Sequence, residues 1–498
     1  MGLKVNRHVQ AITQENLDRL TNAIVVLAET KNDFKTTSLP YAAELSQRLK
    51  RTGKTKWPTS AWRVDLPNSI GTSITLAAVK EKSTTFELLS SARKLVAPHR
   101  DQAPAQLAIA LIGFAPDAAK CVADAMLAAI LAAWHTLPTW KSKPDKAPVR
   151  LPSVIFYGLE ATPDLKLLQA QANGNNLARD LTVSPPNHLT PLRYRQRLKT
   201  LARQHGWKFS FMDQKTLQRK GAGAFLAVSQ GSQNDEAGIV HLRYDPAKTT
   251  GAKALALVGK GVCFDTGGNN LKPAKSMHGM HEDMAGSAVA LGTLLALSEL
   301  KVGFAVDCWL ALSENLIGPR AYKQNDVVVA ANGTSIEIIH TDAEGRMLLA
   351  DTLHFASEAT PQLIIDYATL TGTCVYALST RYSGAFTTAP ELIDSIIAAG
   401  VSSGERVWPF PMDEDFDSEL DSSVADVKQC TIAGEADHIL AARFLQRFVG
   451  TTPWLHIDLA AASNKGGLAH IPTDTTGFGV RYTLDLLLQQ NVLERVKK

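Results

Sequence analysis

The feature that most constrains the fold of this chain is a regular alternation of apolar, strand-like segments with longer helix-like ones. In the N-terminal third, strand-like segments at residues 23–28, 73–79 and 106–114 alternate with helix-like segments such as 84–96. The run at 106–114 is continuously apolar, as expected of a strand that is covered on both faces. Strands that alternate with helices predict a mainly parallel sheet flanked by helices. The sequence therefore predicts an α/β fold.

The length of 498 residues exceeds what one hydrophobic core usually organises, so two domains are expected. A helix that ends near Leu181 is followed by TVSPPNHLTP, whose prolines stop helix propagation. We therefore expect a smaller N-terminal domain over residues 1–165 and a larger one over residues 166–498. In the smaller domain, Asp117 is expected to cap a helix that runs to about residue 137. In the larger domain, strands are expected at 238–244, 254–262, 303–312, 336–339 and 363–370, and helices at 284–300 and 346–357.

Composition and charge argue against nucleic-acid-binding, membrane and secreted classes of protein. The formal net charge is only +4, which is not the basic excess that a nucleic-acid-binding protein carries. The apolar stretches at 121–134 and 285–297 are shorter than the about 20 residues that a membrane span needs. The five cysteines are scattered without a CxxC pair, and the start has no apolar signal segment. These features predict a cytoplasmic protein with reduced thiols.

Two stretches place charged side chains among glycines and apolar residues, where an unpaired charge is costly to bury. They are VGKGVCFDTGGNNLKP at 258–273 and HTDAEGRMLLAD at 340–351, with HEDMAG between them. A pair of divalent cations is the best explanation for four carboxylates in such surroundings. The charged residues concerned are Lys260, Asp265, Lys272, Asp283, Asp342, Glu344 and Arg346.

The expected strands bring these charges to one edge of a sheet. The strand at 254–262 leads to Lys260 and Asp265, and the strand at 336–339 leads to Asp342 and Glu344. In open α/β sheets, ligands bind at the carboxyl ends of the strands. Asp342 and Glu344 are two residues apart, so in an extended segment their side chains leave on the same side.

Simpler interpretations exist for each residue taken alone. Thr341 and Glu344 have the spacing of a helix capping box, and Asp283 could cap the helix at 284–300. Lys260 could pair with Asp265 or with another carboxylate. None of these interpretations explains why all the charges occur together.

Three other catalytic classes are unsupported. Asp265-Thr266-Gly267 is the tripeptide of aspartic proteases, but it occurs once and the pattern is not all-β. The HEDMA segment has Ala285 where a zinc-binding HExxH helix needs its second histidine. There is no GxSxG motif for an acyl-enzyme.

The motifs together resemble those of the cytosolic leucine aminopeptidase family, the M17 dizinc peptidases. The resemblance rests on VGKGVCFDTGGNNLKP, EDMAG, HTDAEGR and ATLTG in that order, and extends from about Leu177 to WLHIDLAA near the C-terminus. It implies a macro-like N-terminal domain before the catalytic domain and a cytoplasmic homohexamer, a dimer of trimers. It also implies that a metal-bridged hydroxide attacks the first peptide bond and releases N-terminal residues, preferably leucine and other apolar ones.

The resemblance also implies roles for individual residues. Two divalent metal ions per subunit are expected, Zn²⁺ in the first place, with Mn²⁺ or Mg²⁺ as alternatives at the exchangeable site. Lys272 would polarise the scissile carbonyl, and Arg346 would hold a bicarbonate that acts as general base. The metal ligands would be Lys260, Asp265, Asp283, Asp342 and Glu344, and the pocket for the first side chain would include Met280, Thr369, Gly372 and Ala460.

One position departs from the family pattern, and one different class of function stays open. The family usually has Asn where this chain has His340. That histidine could hydrogen-bond a ligand carboxylate or simply pack. The other class is a DNA- or nucleotide-binding regulatory protein on the same fold, which would have no need for Lys272 and Arg346.

Overall fold

A computed structural model of the chain describes residues 2–35, 38–143, 149–232, 236–246 and 255–496. The chain divides into two compact units. The first comprises Met1–Ala172, Val401–Gly404 and Lys465–Asp474, and the second comprises Asn173–Gly400, Glu405–Asn464 and Thr475–Lys498. The domain boundary at residues 165/166 stays a prediction; the division between the compact units falls inside the helix Leu165–Thr182.

The first unit contains a six-stranded sheet in the order β1-β6-β5-β2-β4-β3, in which β3 alone is antiparallel to its neighbour. Its strands are β1 (Val5–His8), β2 (Asn22–Ala28), β3 (Trp62–Asp65), β4 (Ser73–Val79), β5 (Gln106–Ile112) and β6 (Ser153–Tyr157). Its helices are α1 (Gln14–Leu17), α2 (Ala42–Lys50), α3 (Thr85–Arg100) and α4 (Pro116–Ala133), followed by α5 (Leu165–Thr182), which continues into the second unit.

Both faces of this first sheet are buried. Ile24 and Val26 of β2 pack in a cluster with α3 and α4, whereas Val25 and Leu27 pack in a second cluster with α1 and α2. Alternate residues of a strand point to opposite faces, so β2 needs apolar side chains at successive positions from Ala23 to Ala28. This explains why its sequence is a continuous apolar run.

One helix boundary in this unit was predicted wrongly. The helix that we expected Asp117 to cap begins at Pro116, and no side chain caps it. Proline suits the first position of a helix because the N–H that it lacks would have no intrahelical partner there. Asp117 therefore lies in the first turn, and the helix ends at Ala133 rather than near residue 137.

The second unit is built on an eight-stranded sheet in the order β15-β14-β17-β13-β9-β10-β8-β7. The neighbours β17, β13, β9 and β10 are mutually parallel. The strands of this unit are β7 (Lys208–Asp213), β8 (Gly238–Tyr244), β9 (Leu255–Asp265), β10 (Val306–Asn315), β11 (Val327–Val329), β12 (Ser335–Glu337), β13 (Leu363–Ala368), β14 (Ser383–Thr387), β15 (Val407–Pro409), β16 (Val427–Lys428) and β17 (Trp454–Asp458).

Helices surround this central sheet, and 3-10 turns occur at Met280–Glu282, Ser379–Arg381, Pro390–Leu392 and Glu414–Leu420. The helices are α6 (Pro191–His205), α7 (Gln214–Arg219), α8 (Gly223–Ser229), α9 (Ala274–Met277), α10 (Ala285–Leu300), α11 (Glu344–Glu358), α12 (Gly372–Leu378), α13 (Ile393–Ser403), α14 (Asp437–Gln446), α15 (Val480–Leu488) and α16 (Val492–Arg495). The α/β class with a mainly parallel sheet flanked by helices is confirmed.

Strand β9 lies between α10 and α11. A Cβ on Gly259 would come within 2.5 Å of the Ser287 Cα in α10, whereas a Cβ on Gly345 of α11 would come within 2.5 Å of the side chain of the next residue, Lys260. Successive strand residues face opposite sides, so the two helices cover opposite faces of the sheet. The glycine is required on one side because α10 packs directly against the strand backbone.

Two strand predictions in this unit need correction. The strand expected at 303–312 runs from Val306 to Asn315, so it reaches further towards its carboxyl end. The strand expected at 336–339 is β12, Ser335–Glu337, which belongs to a separate three-stranded sheet with β11 and β16. The first residue of the strand expected at 254–262 lies outside the described residues.

Among the residues that the structure describes, the stretch Ala274–Leu300 has the length and apolar composition of a membrane span. Within its apolar window, 83% is buried inside the protein, which is the state of a core helix in a folded domain.

Candidate metal centre

The four parallel strands at the centre of the larger sheet end at one edge and carry polar residues there. Asp265 is the last residue of β9, Asn315 the last of β10 and Asp458 the last of β17. Thr369 follows β13 directly. The expectation that a site forms at the carboxyl ends of the strands therefore holds for the part contributed by this sheet.

Lys260 projects from β9 into a cluster of carboxylates. Its Nζ lies 2.8 Å from Glu344 Oε1 and 2.9 Å from Asp283 Oδ2, and it donates a hydrogen bond to the main-chain oxygen of Thr369. The sequence left open whether Lys260 pairs with carboxylates, and the structure shows that it does. Burial by itself lowers the pKa of Lys260, but Asp283, Glu344 and Asp265 outweigh it and raise the pKa above its usual value. To act as a metal ligand, the amine must lose its proton.

Lys272 forms the second bridge in this cluster. Its Nζ lies 2.9 Å from Asp265 Oδ2 and also contacts Asp342 Oδ1. The other oxygen of Asp265 accepts hydrogen bonds of 2.8 Å from the Gly267 N–H and from the side-chain amide of Asn315. Asp265 is thus held in one orientation with one oxygen facing the cluster.

The carboxylates approach one another closely. One oxygen each from Asp265, Asp342 and Glu344 lies within 4.8 Å of the others. Burial, together with the charges of Glu344 and Asp265, raises the pKa of Asp283 to about 8 against the opposing effect of Lys260. Burial and the charge of Asp265 raise the pKa of Asp342 to about 6, and the same two causes raise the pKa of Glu344. The lysines alone therefore do not balance the negative charge.

This donor set fits divalent cations. Asp283 Oδ2, Asp342 Oδ1 and Glu344 Oε1 are buried, and each lies beside a lysine ammonium group. Four carboxylates share two ammonium groups in this cluster, and buried carboxylates are costly unless enough positive charge compensates them. Carboxylate oxygens and a nitrogen ligand are suitable for zinc, manganese or magnesium.

The capping interpretations of Thr341 and Asp283 are wrong. Helix α11 has no side-chain cap, and the Thr341 hydroxyl instead donates to the main-chain oxygen of Gly267 at 2.6 Å. Helix α10 also has no side-chain cap, and Asp283 instead accepts a hydrogen bond of 2.8 Å from the Thr369 hydroxyl. The expectation of an extended segment through Asp342 and Glu344 was also wrong, because Glu344 is the first residue of α11.

Polar residues that the sequence analysis did not single out hold the loop before α11. The Thr341 carbonyl oxygen accepts hydrogen bonds from the Tyr322 hydroxyl and the Asn315 amide, at 2.7 and 3.0 Å. The Thr341 N–H donates to Asn270, and the Gln429 side chain donates to the Ala343 oxygen. These residues belong to no short motif, so only their place in the fold reveals them.

His340 lies against the loop that carries Asp342. Its Nδ1 accepts a hydrogen bond of 3.2 Å from the main-chain N–H of Asp342. It therefore supports the backbone on which Asp342 stands.

Arg346 is almost fully buried, with 1% of its surface exposed. Its Nη2 lies 2.7 Å from Asp437 Oδ2, and its Nη1 donates to the main-chain oxygen of Gln429 at 3.1 Å. Asp437 is the first residue of α14 and was not identified from the sequence.

All the residues that the sequence analysis assigned to the site line one cavity of about 700 Å³. Met280 reaches it from the 3-10 turn before α10, Gly372 from the start of α12, and Ala460 from just beyond β17. Thr369 lies between these residues and the carboxylates, since its hydroxyl donates to Asp283. The cavity thus has a charged side and a side with apolar groups, while the individual roles stay predictions.

Comparison with protein families and known sequences shows a consistent relationship. The sequence model of the catalytic domain of the cytosol aminopeptidase family, peptidase M17, matches residues 176–484. The probable cytosol aminopeptidase of Polaromonas sp. is 40% identical over 373 residues, which are 74% of this chain and 72% of that protein. The probable cytosol aminopeptidase of Afipia carboxidovorans is 40% identical over 351 residues, covering 70% and 69% of the two chains.

Solved structures agree with these relatives. A mutant of tomato leucine aminopeptidase superposes with a TM-score of 0.85 at 26% identity, covering 98% of this chain and 96% of that one. The bottromycin maturation enzyme BotP in complex with Mn superposes with a TM-score of 0.79 at 30% identity, covering 94% and 99%.

Proposed function

Because this chain belongs to the cytosol aminopeptidase family, peptidase M17, and is an aminopeptidase of that family, we propose that it is a two-metal leucyl aminopeptidase. It would release leucine and other apolar residues from the free N-terminus of peptides. The observation that carries this proposal is the convergence of Lys260 with four carboxylates on one cavity. The finding that BotP binds Mn supports the use of divalent cations.

Each residue of the cluster has a proposed part in holding the cations. Lys260, Asp265, Asp283 and Glu344 would hold one cation, and Asp265, Asp342 and Glu344 the other, so that two carboxylates serve both. We propose Zn²⁺ as the usual ion, with Mn²⁺ or Mg²⁺ as alternatives at the second position. When bound, such cations supply Lewis-acid polarisation and a water nucleophile at neutral pH.

Lys272 would act on the substrate carbonyl. Asp265, Glu344 and Asp342 overcome the effect of burial and raise the pKa of Lys272 above its usual value, so its amine stays protonated. A fixed ammonium group in a partly buried site can stabilise the oxyanion that forms during attack on the peptide bond. This contribution grows in the transition state and should therefore appear in kcat.

The two sides of the cavity would select the substrate. The free α-amine of the substrate, in its neutral form, would bind on the charged side, where a cation held by the carboxylates can coordinate it. Met280 and Ala460 would contact the first side chain, which favours an apolar residue, while Thr369 and Gly372 would form the remaining wall. Only the N-terminal residue would be removed, because an internal peptide bond has no free amine beside it.

Two further properties are proposed from the relatives. The curated relatives are named cytosol aminopeptidases, and all five cysteines of this chain are free, so we place the protein in the cytoplasm. A homohexamer, a dimer of trimers, is also proposed, and light scattering on purified protein would measure its mass.

The experiment that tests the proposed function is hydrolysis of leucine amide before and after chelation. We expect chelation to abolish turnover and Zn²⁺ or Mn²⁺ to restore it. Leucine amide should be cleaved faster than glycine amide, and N-acetyl-leucine amide should not be cleaved. Full turnover in metal-free protein, or cleavage of the acetylated amide, would contradict the proposal.

A further inference from the structure

The side chain of Asp458 joins the ends of two neighbouring strands beside the cavity. Asp458 is the last residue of β17, and its register partner in the parallel strand β13 is Ala368. The chain leaves β13 through residues 369–372, which we call the pocket loop. Asp458 lines the cavity, although only 1% of its surface is exposed.

Both oxygens of the Asp458 carboxyl group hold the pocket loop. Oδ1 accepts a hydrogen bond of 3.1 Å from the Leu370 N–H, and the Thr371 N–H lies 3.5 Å from the same oxygen. Oδ2 accepts a hydrogen bond of 2.6 Å from the Thr371 hydroxyl. Hydrogen bonds to a carboxylate are stronger than those between neutral groups. Asp458 therefore acts on the cavity through this loop.

The first residue of the pocket loop contacts the carboxylate cluster. The main-chain oxygen of Thr369 accepts a hydrogen bond of 3.1 Å from Lys260 Nζ, and the Thr369 hydroxyl donates to Asp283 at 2.8 Å. Lys260 and Asp283 are two of the proposed metal ligands. Loss of a residue that orients metal ligands commonly lowers metal affinity by about 10- to 100-fold. A shift of the loop would therefore reach the metal centre through Thr369.

The pocket loop also forms part of the proposed pocket for the first side chain. Thr369 and Gly372 belong to the loop, whereas Ala460 follows Asp458 by two residues. The Ala460 N–H donates to the main-chain oxygen of Asp458 at 2.9 Å. Asp458 thus contacts one part of the pocket through its side chain and the other through its main chain. Its carboxylate fixes the distance between the two parts.

We propose that Asp458 is a positioning residue whose carboxylate sets both the width of the substrate pocket and the place of Thr369 at the metal centre. The inference rests on the proposed peptidase function. Loss of the carboxylate releases Leu370 and Thr371 from their anchor, so the loop moves and both properties change together. A joint loss of substrate selectivity and metal affinity is therefore expected when the carboxylate is removed.

A purely structural role for Asp458 makes different predictions. The carboxylate would then only satisfy buried N–H groups, and its loss would lower stability without changing selectivity. Asp351 is the matched residue for this comparison. It is fully buried in the same unit and accepts hydrogen bonds from the N–H groups of Ala331 and Phe225, at 2.7 and 2.8 Å. It does not line the cavity.

The test compares the wild type with Asp458→Ala, Asp458→Asn and Asp351→Ala, all reconstituted with Mn²⁺. The measured quantity is the ratio of kcat/KM for leucine amide to kcat/KM for alanine amide. Asp458→Ala should lower this ratio about 10-fold or more, because a displaced wall no longer fits the leucine side chain closely. Asp458→Asn keeps an oxygen for the loop N–H groups and should recover most of the ratio. Asp351→Ala should keep the wild-type ratio at a lower melting temperature.

Two further measurements do not depend on turnover. Calorimetric titration of the metal-free proteins should show that Asp458→Ala binds Mn²⁺ about 10-fold more weakly, whereas Asp351→Ala matches the wild type. Hydrogen exchange, followed by mass spectrometry, should be faster in Asp458→Ala than in the wild type at residues 369–372. Asp351→Ala should show no such change at these residues.

Circular dichroism identifies a variant that fails to fold. If Asp458→Ala fails, Thr371→Val takes its place, because it removes the hydrogen bond to Oδ2 and leaves the carboxylate in position. Thr371→Val should lower the selectivity ratio and the Mn²⁺ affinity in the same directions by smaller factors.

The proposal is overturned if the variant that loses the anchor keeps the wild-type selectivity ratio or the wild-type Mn²⁺ affinity. It is equally overturned if Asp351→Ala lowers the ratio as much as Asp458→Ala does. If the wild type hydrolyses neither amide, the peptidase proposal fails. In that case, hydrogen exchange and Mn²⁺ affinity still decide whether Asp458 positions the pocket loop at the metal centre.

Discussion

Gly345 lies so close to Lys260 that a Cβ on the glycine would come within 2.5 Å of the lysine Cε and 2.7 Å of its Nζ. The first turn of α11 therefore forms one wall of the space that the lysine amine occupies. The same turn begins with Glu344, whose Oε1 is 2.8 Å from that amine. Glycine is required at position 345 because the helix backbone approaches the Lys260 side chain closely, and not because the chain turns there. Any side chain at this position would push Lys260 away from its carboxylates.

We predict that Gly345→Ala weakens metal binding by about 10- to 100-fold, as expected when the support of a ligand is disturbed. Metal content after dialysis against graded chelator measures the effect. Gly303→Ala is the control, because a Cβ on Gly303 would meet nothing within 4 Å. Unchanged metal retention in Gly345→Ala would show that Lys260 is not a ligand.

The ammonium group of Lys272 should matter for kcat more than for metal content. Lys272→Ala removes the proposed donor to the oxyanion, and a loss of about 100- to 1,000-fold in kcat is expected. Steady-state hydrolysis of leucine amide with parallel metal analysis measures both quantities. Lys275→Ala, on the exposed side of α9, should behave as the wild type. A Lys272→Ala enzyme with near-normal turnover would contradict the assigned role.

The buried Ala460 should limit the size of the first substrate side chain. Ala460→Leu adds three carbon atoms to the cavity wall, so leucine amide should lose kcat/KM relative to alanine amide by about 10-fold or more. The ratio of the two kcat/KM values is the measurement. Ala460→Ser, which adds one oxygen atom, should leave this ratio nearly unchanged. If Ala460→Leu also leaves it unchanged, the first side chain binds elsewhere.

A buried histidine in the first unit should make the stability of the protein depend on pH. His99 accepts a hydrogen bond from the Asn22 amide at Nδ1 and contacts the Thr75 hydroxyl through Nε2, at 3.0 and 2.9 Å. Burial lowers the pKa of His99 from 6.5 to about 4, and the charge of Arg63 adds to this effect. Between these two values the unfolded chain binds more protons than the folded one.

The free energy of unfolding should therefore fall as the pH falls from about 6.5 towards 4, by up to about 3 kcal/mol from this residue. His99→Gln should be less stable at neutral pH but should lose less stability on acidification. Urea unfolding at pH values around 7 and 5 measures the difference between the variants. The exposed His205→Gln should reproduce the pH dependence of the wild type; an equal dependence in His99→Gln would contradict the argument.

Much of the fold was predictable because its signals are local. Val25 and its neighbours in β2 form a continuous apolar run, which is typical of a strand that is buried on both faces. The family resemblance was predictable because its motifs occur in order, and the match to the family model confirms it. Boundaries such as that at Asp117 were predicted less well, since a proline and an aspartate at adjacent positions both suit a helix start.

The supporting residues of the site were not predictable from local patterns. Asn315 and Tyr322 come from the end of β10 and the loop after it, and Gln429 from the segment before α14. Each is an ordinary polar residue in the sequence, and its role depends on contacts across tens of residues. The pairing of Arg346 with Asp437 belongs to the same class, because 91 positions separate the two partners.

The central claim is that the side chains of Lys260, Asp265, Asp283, Asp342 and Glu344 hold two cations. The most direct test is anomalous diffraction, at the manganese absorption edge, from crystals equilibrated with Mn²⁺. We predict two anomalous peaks per chain, both in contact with the carboxylates of Asp265 and Glu344. A single peak, or peaks that do not touch these two side chains, would contradict the account.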